Sequence, residues 1–113
     1  MVARNPLFQA APYPVEQALK KVGSNLRTAR LRRKLTIHQV AEKIGTGARA
    51  IRAAESGSPS TLVAVYAALL WAYDLLAPFE DLANPADDKE GLGLAGLGTG
   101  ARARKSKGLD NDF

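Results

Sequence analysis

The 113-residue chain has no cysteine and a single histidine. Without cysteine it can form neither a disulfide framework nor a thiolate metal site. One histidine cannot hold zinc unless several carboxylates gather beside it. No metal and no other cofactor is therefore expected. Long apolar runs are also lacking: the longest, residues 62–73, is too short to cross a bilayer and ends at Asp74. The opening stretch MVARNPLFQAAPYP has no apolar core of signal-peptide length. These absences point to a soluble cytoplasmic protein with no membrane partner. Neither a nucleophile–base pair nor paired carboxylates in a cleft can be found, which speaks against an enzyme and a small-molecule substrate.

Apolar residues make up 46% of the chain, enough for one small core that a second subunit would usefully enlarge. Charge is divided unevenly. Residues 1–57 carry 11 Lys/Arg against 3 Asp/Glu, whereas residues 58–101 carry 1 against 6. The last twelve residues return to 4 against 2. A basic half of this kind suits a polyanion, and the acidic half would be repelled by one.

Three segments can be told apart. Residues 1–13, with Pro6 and Pro12 and no clear period, read as a loose arm. Residues 14–84 hold the helical patterns, and residues 85–113, rich in glycine and charge, read as a disordered tail. Pro14 can open a helix, since its missing N–H costs nothing at the first position. Val15, Ala18, Leu19, Val22, Leu26 and Ala29 then recur at helical spacing to about Lys34, with Gly23 interrupting. The interruption allows a start nearer Ser24. Thr36 and Gln39 form a capping box for a second helix. Its stripe is Ile37, Val40, Ala41 and Ile44, and Gly45 is its stop. A third helix begins at Gly47 or Ala48, buries Ile51 and Ala54, and stops at Gly57. The fourth, about 61–73, is apolar on every side and needs cover all round. A short fifth helix is expected over 75–82. In the tail, GLGLAG matches a dinucleotide-binding glycine pattern by letter. No strand or βαβ unit surrounds it, so the match carries no meaning. Its Leu92, Leu94 and Leu97 could add to the sheet edge of a partner.

The string from Leu35 to Gly57 resembles the Cro/C1-type (Xre) helix-turn-helix domain of phage and bacterial repressors. Leu35, Thr36, Val40, Ala41, Gly45, Ile51, Glu55 and Gly57 fill that family's slots in register. The likeness runs from about Gly23 to Leu82. It implies an all-α, five-helix, lambda-repressor-like domain with a flexible N-terminal arm and a disordered C-terminal tail. It also implies that Arg30 pairs with Glu55, in keeping with their places on the apolar faces of two helices. A charge buried there without a partner would be costly.

The DNA-facing slots depart from the family, which often has Gln where this chain has Ile37. Ser or Thr commonly stands at the slot of Gly47, and Thr or Ser at that of Ala50. Arg49 and Arg52 remain as readers of base edges, with Ala48 close enough to touch the groove. Arginine reads guanine through two parallel bonds, and alanines can meet thymine methyl groups. Phosphate candidates are Arg27, Arg32, Arg33, His38, Lys43 and Gly47.

A second likeness lies in YPVEQALKKVGSNLRTARLRRKLT, which resembles the opening of small Xre-type antitoxins paired with HipA-like serine/threonine kinase toxins. It implies a homodimer that binds double-stranded operator DNA, represses its own operon and holds the kinase inactive. Tyr66, Leu70, Trp71, Leu75, Leu76 and Phe79 are the candidate dimer interface. Leu92, Leu94, Leu97 and Phe113 are candidate toxin contacts. A stand-alone repressor, and a protein-binding module that has lost DNA affinity, are the alternatives.

Overall fold

The structure, a computed structural model, describes residues 5–106, with side chains through residue 97. Every regular element among the described residues is helical. In order these are α1 (Pro6–Gln9), α2 (Tyr13–Arg32), α3 (Ile37–Ile44), α4 (Ala48–Ser56), α5 (Val63–Ala72), α6 (Ala77–Glu80), a 3-10 turn (Pro85–Asp87) and α7 (Lys89–Ser106). None of these helices is long and apolar enough to cross a membrane. The chain divides into two compact units between Glu80 and Asp81.

In the first unit α2 packs on α4, α4 on α3, and α5 on both α3 and α4. The core is Leu26, Ala29, Val40, Ala41, Ile51, Ala54, Tyr66, Leu69 and Tyr73, with Leu35, Ile37, Ile44, Val65, Leu70 and Ala72 packed around it. The stripes expected on α3 and α4 thus meet each other.

Gly23 does not interrupt α2. It is buried, and a Cβ there would lie 2.5 Å from the Ala54 carbonyl oxygen and 2.6 Å from that of Glu55. Gly57 answers it: a Cβ on Gly57 would lie 2.7 Å from the Lys20 Cα, and its φ of +76° already favours glycine. Both glycines are there because α2 meets the end of α4 backbone to backbone. The helical cost of a mid-helix glycine, about 1 kcal/mol, is accepted for that approach.

Local chemistry sets the other boundaries. Asn5 caps α1 by accepting the Leu7 N–H at 2.9 Å, so part of the expected loose arm is a helical turn. Thr36 Oγ1 accepts the Gln39 N–H at 3.1 Å, and Gln39 Oε1 accepts the Thr36 N–H at 2.8 Å, completing the capping box. The fourth and fifth helices are shorter than their patterns suggested, at Val63–Ala72 and Ala77–Glu80.

The second unit, 81–113, departs most from expectation. Where a disordered tail was expected, α7 occupies Lys89–Ser106. Asp88 Oδ1 accepts the Gly91 N–H at 2.9 Å, which starts the helix, and alanine, leucine and lysine carry it onward. Leu92, Leu94 and Leu97 are exposed on this helix, so the alternating strand that would extend a partner's sheet is not what these residues form. Phe113 lies outside the described residues.

Candidate nucleic-acid interface

The expected ion pair is formed. Arg30 Nε donates to Glu55 Oε2 at 2.7 Å and Nη2 donates to Oε1 at 3.0 Å, a two-bonded fork. Nη1 donates to the Leu35 carbonyl at 3.0 Å, so all three guanidinium nitrogens are engaged. The two side chains are only 8% and 7% exposed. The hydrogen bond to Glu55 holds the Arg30 pKa above its ordinary value, against the opposing effect of burial. Glu55 is the acidic residue of α4, and its charge is spent inside the fold.

What α4 shows to solvent is therefore cationic. Ile51 and Ala54 face the core, while Arg49 and Arg52, one turn apart, are exposed. Ala48 is partly buried at the first turn. Gly47 stands at the N-cap with an extended backbone (φ −92°, ψ 161°) and no side chain to bond the first N–H groups. Those groups and the helix dipole favour an anion. Lys43 is exposed in the last turn of α3 and His38 in its first. Arg27 and Arg32 are exposed on α2. Among the described residues, none of Arg27, Arg32, Lys43, Arg49 and Arg52 is in an ion pair.

Arg33 is differently placed. Its Nη1 donates to the Ala29 carbonyl and its Nη2 to the Tyr73 carbonyl, both at 2.9 Å. The guanidinium carbon lies 5.3 Å from the centroid of the Tyr73 ring. Arg33 thus ties the end of α2 to the end of α5, and its donors are drawn away from the phosphate role expected of it. The Tyr73 hydroxyl has a raised pKa, first from burial and then from the charge of Glu55, with Arg30 and Arg33 opposing. Nothing in the sequence marks this clasp, because the hydrogen-bond partners of Arg33 are backbone carbonyls.

Between the first turns of α4 and the start of α5 lies an open notch of about 450 Å³. Arg49 and Thr61 line it together with the small or aliphatic side chains of Ala50, Ala53, Leu62 and Val65, and none of its lining residues is acidic. Leu62 is 71% exposed, which its place at the head of an apolar run does not reveal in sequence.

The expected dimer residues do not stay together. Tyr66 is 8% exposed and belongs to the core of its own unit, so it is removed from the interface. An all-apolar helix gives no sequence sign of which side faces inward. Leu70 is partly buried against the same core. Leu76 and Phe79 are half-buried, and Trp71 and Leu75 are exposed. The exposed apolar surface is completed on α5 by Leu62 and Val63.

No family model matches this chain, and neither a curated protein nor a solved structure shows significant similarity to it.

Proposed function

We propose that this chain is a DNA-binding repressor of the Xre helix-turn-helix type, without catalytic activity, which works in the cytoplasm as a homodimer. The observation that carries this reading is the outer face of α4. Two unpaired arginines stand on it, its acid is neutralised by Arg30, and Gly47 puts no side-chain cap on its first turn. α3, the turn at Gly45 and α4 supply a two-helix unit, and α2 to α6 the five helices of the domain. Arg49 and Arg52 read base edges with Ala48 beside them, while Gly47, Lys43, His38, Arg27 and Arg32 meet phosphates.

The partner proposed for it is a HipA-like kinase toxin, making the chain an antitoxin that represses its own operon. What supports this part is the likeness of residues 13–36 to such antitoxins and the exposed Leu92, Leu94 and Leu97 of α7. With Phe113, these would be the toxin contacts.

Enrichment of duplexes from a random pool, followed by titration of the selected site, tests the DNA reading. Arg49→Ala or Arg52→Ala should each cost about 1–3 kcal/mol and relax preference at one base pair. Lys43→Ala should instead weaken every sequence alike and flatten the dependence on salt. An Arg49→Ala/Arg52→Ala variant that binds the selected site as the parent does would remove α4 as the reader. Failure of any duplex to be enriched would favour a module that binds protein alone.

A further inference from the structure

We infer that a groove beside Arg32 and Arg33 binds a small organic anion, a carboxylate or phosphate monoester that carries an apolar group. The site does not depend on α4. It changes the duty of one residue, Arg32, which then serves this ligand instead of the DNA backbone. Asn25, Thr28 and Arg32 follow one face of α2 at spacings of three and four residues. With Ala29, Arg33 and Leu75 they line a groove of about 350 Å³. None of these lining residues is acidic, and Asp74, the neighbour of Leu75, is not among them. Two guanidinium groups thus share one concavity, and among the described residues neither is in an ion pair. Like charges so placed favour an anion between them.

Arg33 is set in position before any ligand arrives. Its bonds to the Ala29 and Tyr73 carbonyls use two of the five N–H groups of a guanidinium. They also satisfy carbonyl oxygens that would otherwise repel an anion. The remaining donors of Arg33, with those of Arg32, suit the paired oxygens of a carboxylate or phosphate. The Thr28 hydroxyl and the Asn25 amide add neutral donors. Leu75, 42% exposed, gives the groove an apolar wall that an inorganic ion would leave wet. A DNA backbone would bring phosphates and leave that leucine uncovered. The ligand is therefore a small organic one. Leu75 is also a residue of the proposed dimer surface, so the ligand and a second copy compete for it.

Benzoate and phenyl phosphate, with benzamide as the uncharged counterpart of benzoate, test this on the full chain. Both anions should shift the backbone amide signals of residues 25–33 and 75, with dissociation constants of roughly a millimolar for ligands so small. Benzamide should bind at least about tenfold more weakly. Phenyl phosphate should exceed inorganic phosphate about fourfold, the effect of covering one methylene group. Binding of one anion and not the other names the head group. Arg32→Gln should weaken both anions about tenfold. Leu75→Ser should remove the advantage of phenyl over inorganic phosphate. The comparison of probes on the unaltered chain decides even if a variant folds poorly. Benzamide equal to benzoate, or inorganic phosphate equal to phenyl phosphate, would overturn the inference. So would full affinity in folded Arg32→Gln. Displacement of phenyl phosphate by a short duplex of arbitrary sequence would give the groove to the DNA backbone and overturn it too. In sedimentation, saturating phenyl phosphate should loosen the dimer, and a dimer unchanged at saturation would overturn the competition. A parent chain found monomeric would sink the dimer reading and leave the site to be judged by the titrations.

Discussion

A guanidinium taken out of water is tolerable only when its donors and its charge are all answered, and Arg30 meets both conditions through Glu55 and the Leu35 carbonyl. Removing one partner leaves the other stranded. Glu55→Ala should therefore lower stability by about 3–5 kcal/mol, read as a shift of the urea midpoint. Arg30→Met/Glu55→Leu, which strands no charge, should cost clearly less. An unchanged midpoint in Glu55→Ala would mean the pair is not buried in solution. The pair was legible in the sequence because both residues stand in apolar stripes, where an unmatched charge is out of place. Tyr66 was not legible, since the helix that carries it is apolar all round and offers no contrast between faces. Arg33 was hidden for another reason: its partners are backbone carbonyls, which every residue possesses.

The ends of four helices share one closure. A residue in the left-handed region is followed by one whose N–H reaches back five positions. Lys34 precedes the bond from Leu35 to Arg30 at 3.2 Å, and Gly45 that from Thr46 to Ala41 at 2.9 Å. Gly57 precedes the bond from Ser58 to Ala53 at 3.0 Å, and Asp74 that from Leu75 to Leu70 at 2.7 Å. Two of these positions are glycine and two are strained by a side chain. The space around Gly45 is open, so Gly45→Ala isolates the cost of its φ of +82° and should destabilise by about 1 kcal/mol. Lys34→Gly (φ 56°) should stabilise by somewhat less, because the added glycine also loosens the unfolded chain. Thermal melts of the two variants moving in the same direction would sink this account. Glycine made the stops after α3 and α4 readable in advance, whereas a lysine and an aspartate gave no such sign for α2 and α5. Gly23 misled for the same reason in reverse. A glycine demanded by a neighbouring backbone looks, in sequence, like a glycine that breaks a helix. At α7 the glycines point to disorder, whereas the Asp88 side chain holds the first turn and the helix formers between the glycines extend it.

Trp71, Leu75, Leu62 and Val63 leave the first unit with apolar surface that water covers poorly. A two-fold dimer through Trp71 and Leu75, flanked by Leu70, Leu76 and Phe79, would cover part of it. Sedimentation at micromolar concentration should report a dimer, and Trp71→Glu/Leu75→Glu a folded monomer. Two α4 helices should then fit a palindrome with half-sites roughly 34 Å apart. A monomeric parent chain would reject both statements. The chain divides into two units after Glu80, so deleting residues 87–113 should leave the melt of the first unchanged. The same deletion should weaken co-purification of the kinase, modestly if ordering the segment consumes part of the binding energy. Retention of the kinase at full strength would shift its contact to the first unit. The exposed apolar residues of α5 could not be told from the buried ones in sequence alone, for exposure depends on which side of that helix the core takes.

The crossing of α2 over the end of α4 also bears on how this gene can drift. Any single-base change that replaces a glycine with another residue adds at least a Cβ, and at Gly23 and Gly57 that atom would land within 3 Å of another helix's backbone. A missense change at either codon therefore forces one helix to shift against the other, which is costly because the obstructing atoms are main chain. The codons of Gly93 and Gly96 are under no such restraint, since a Cβ at either meets open space. Descendants of this sequence should keep the first two glycines and be free to lose the others.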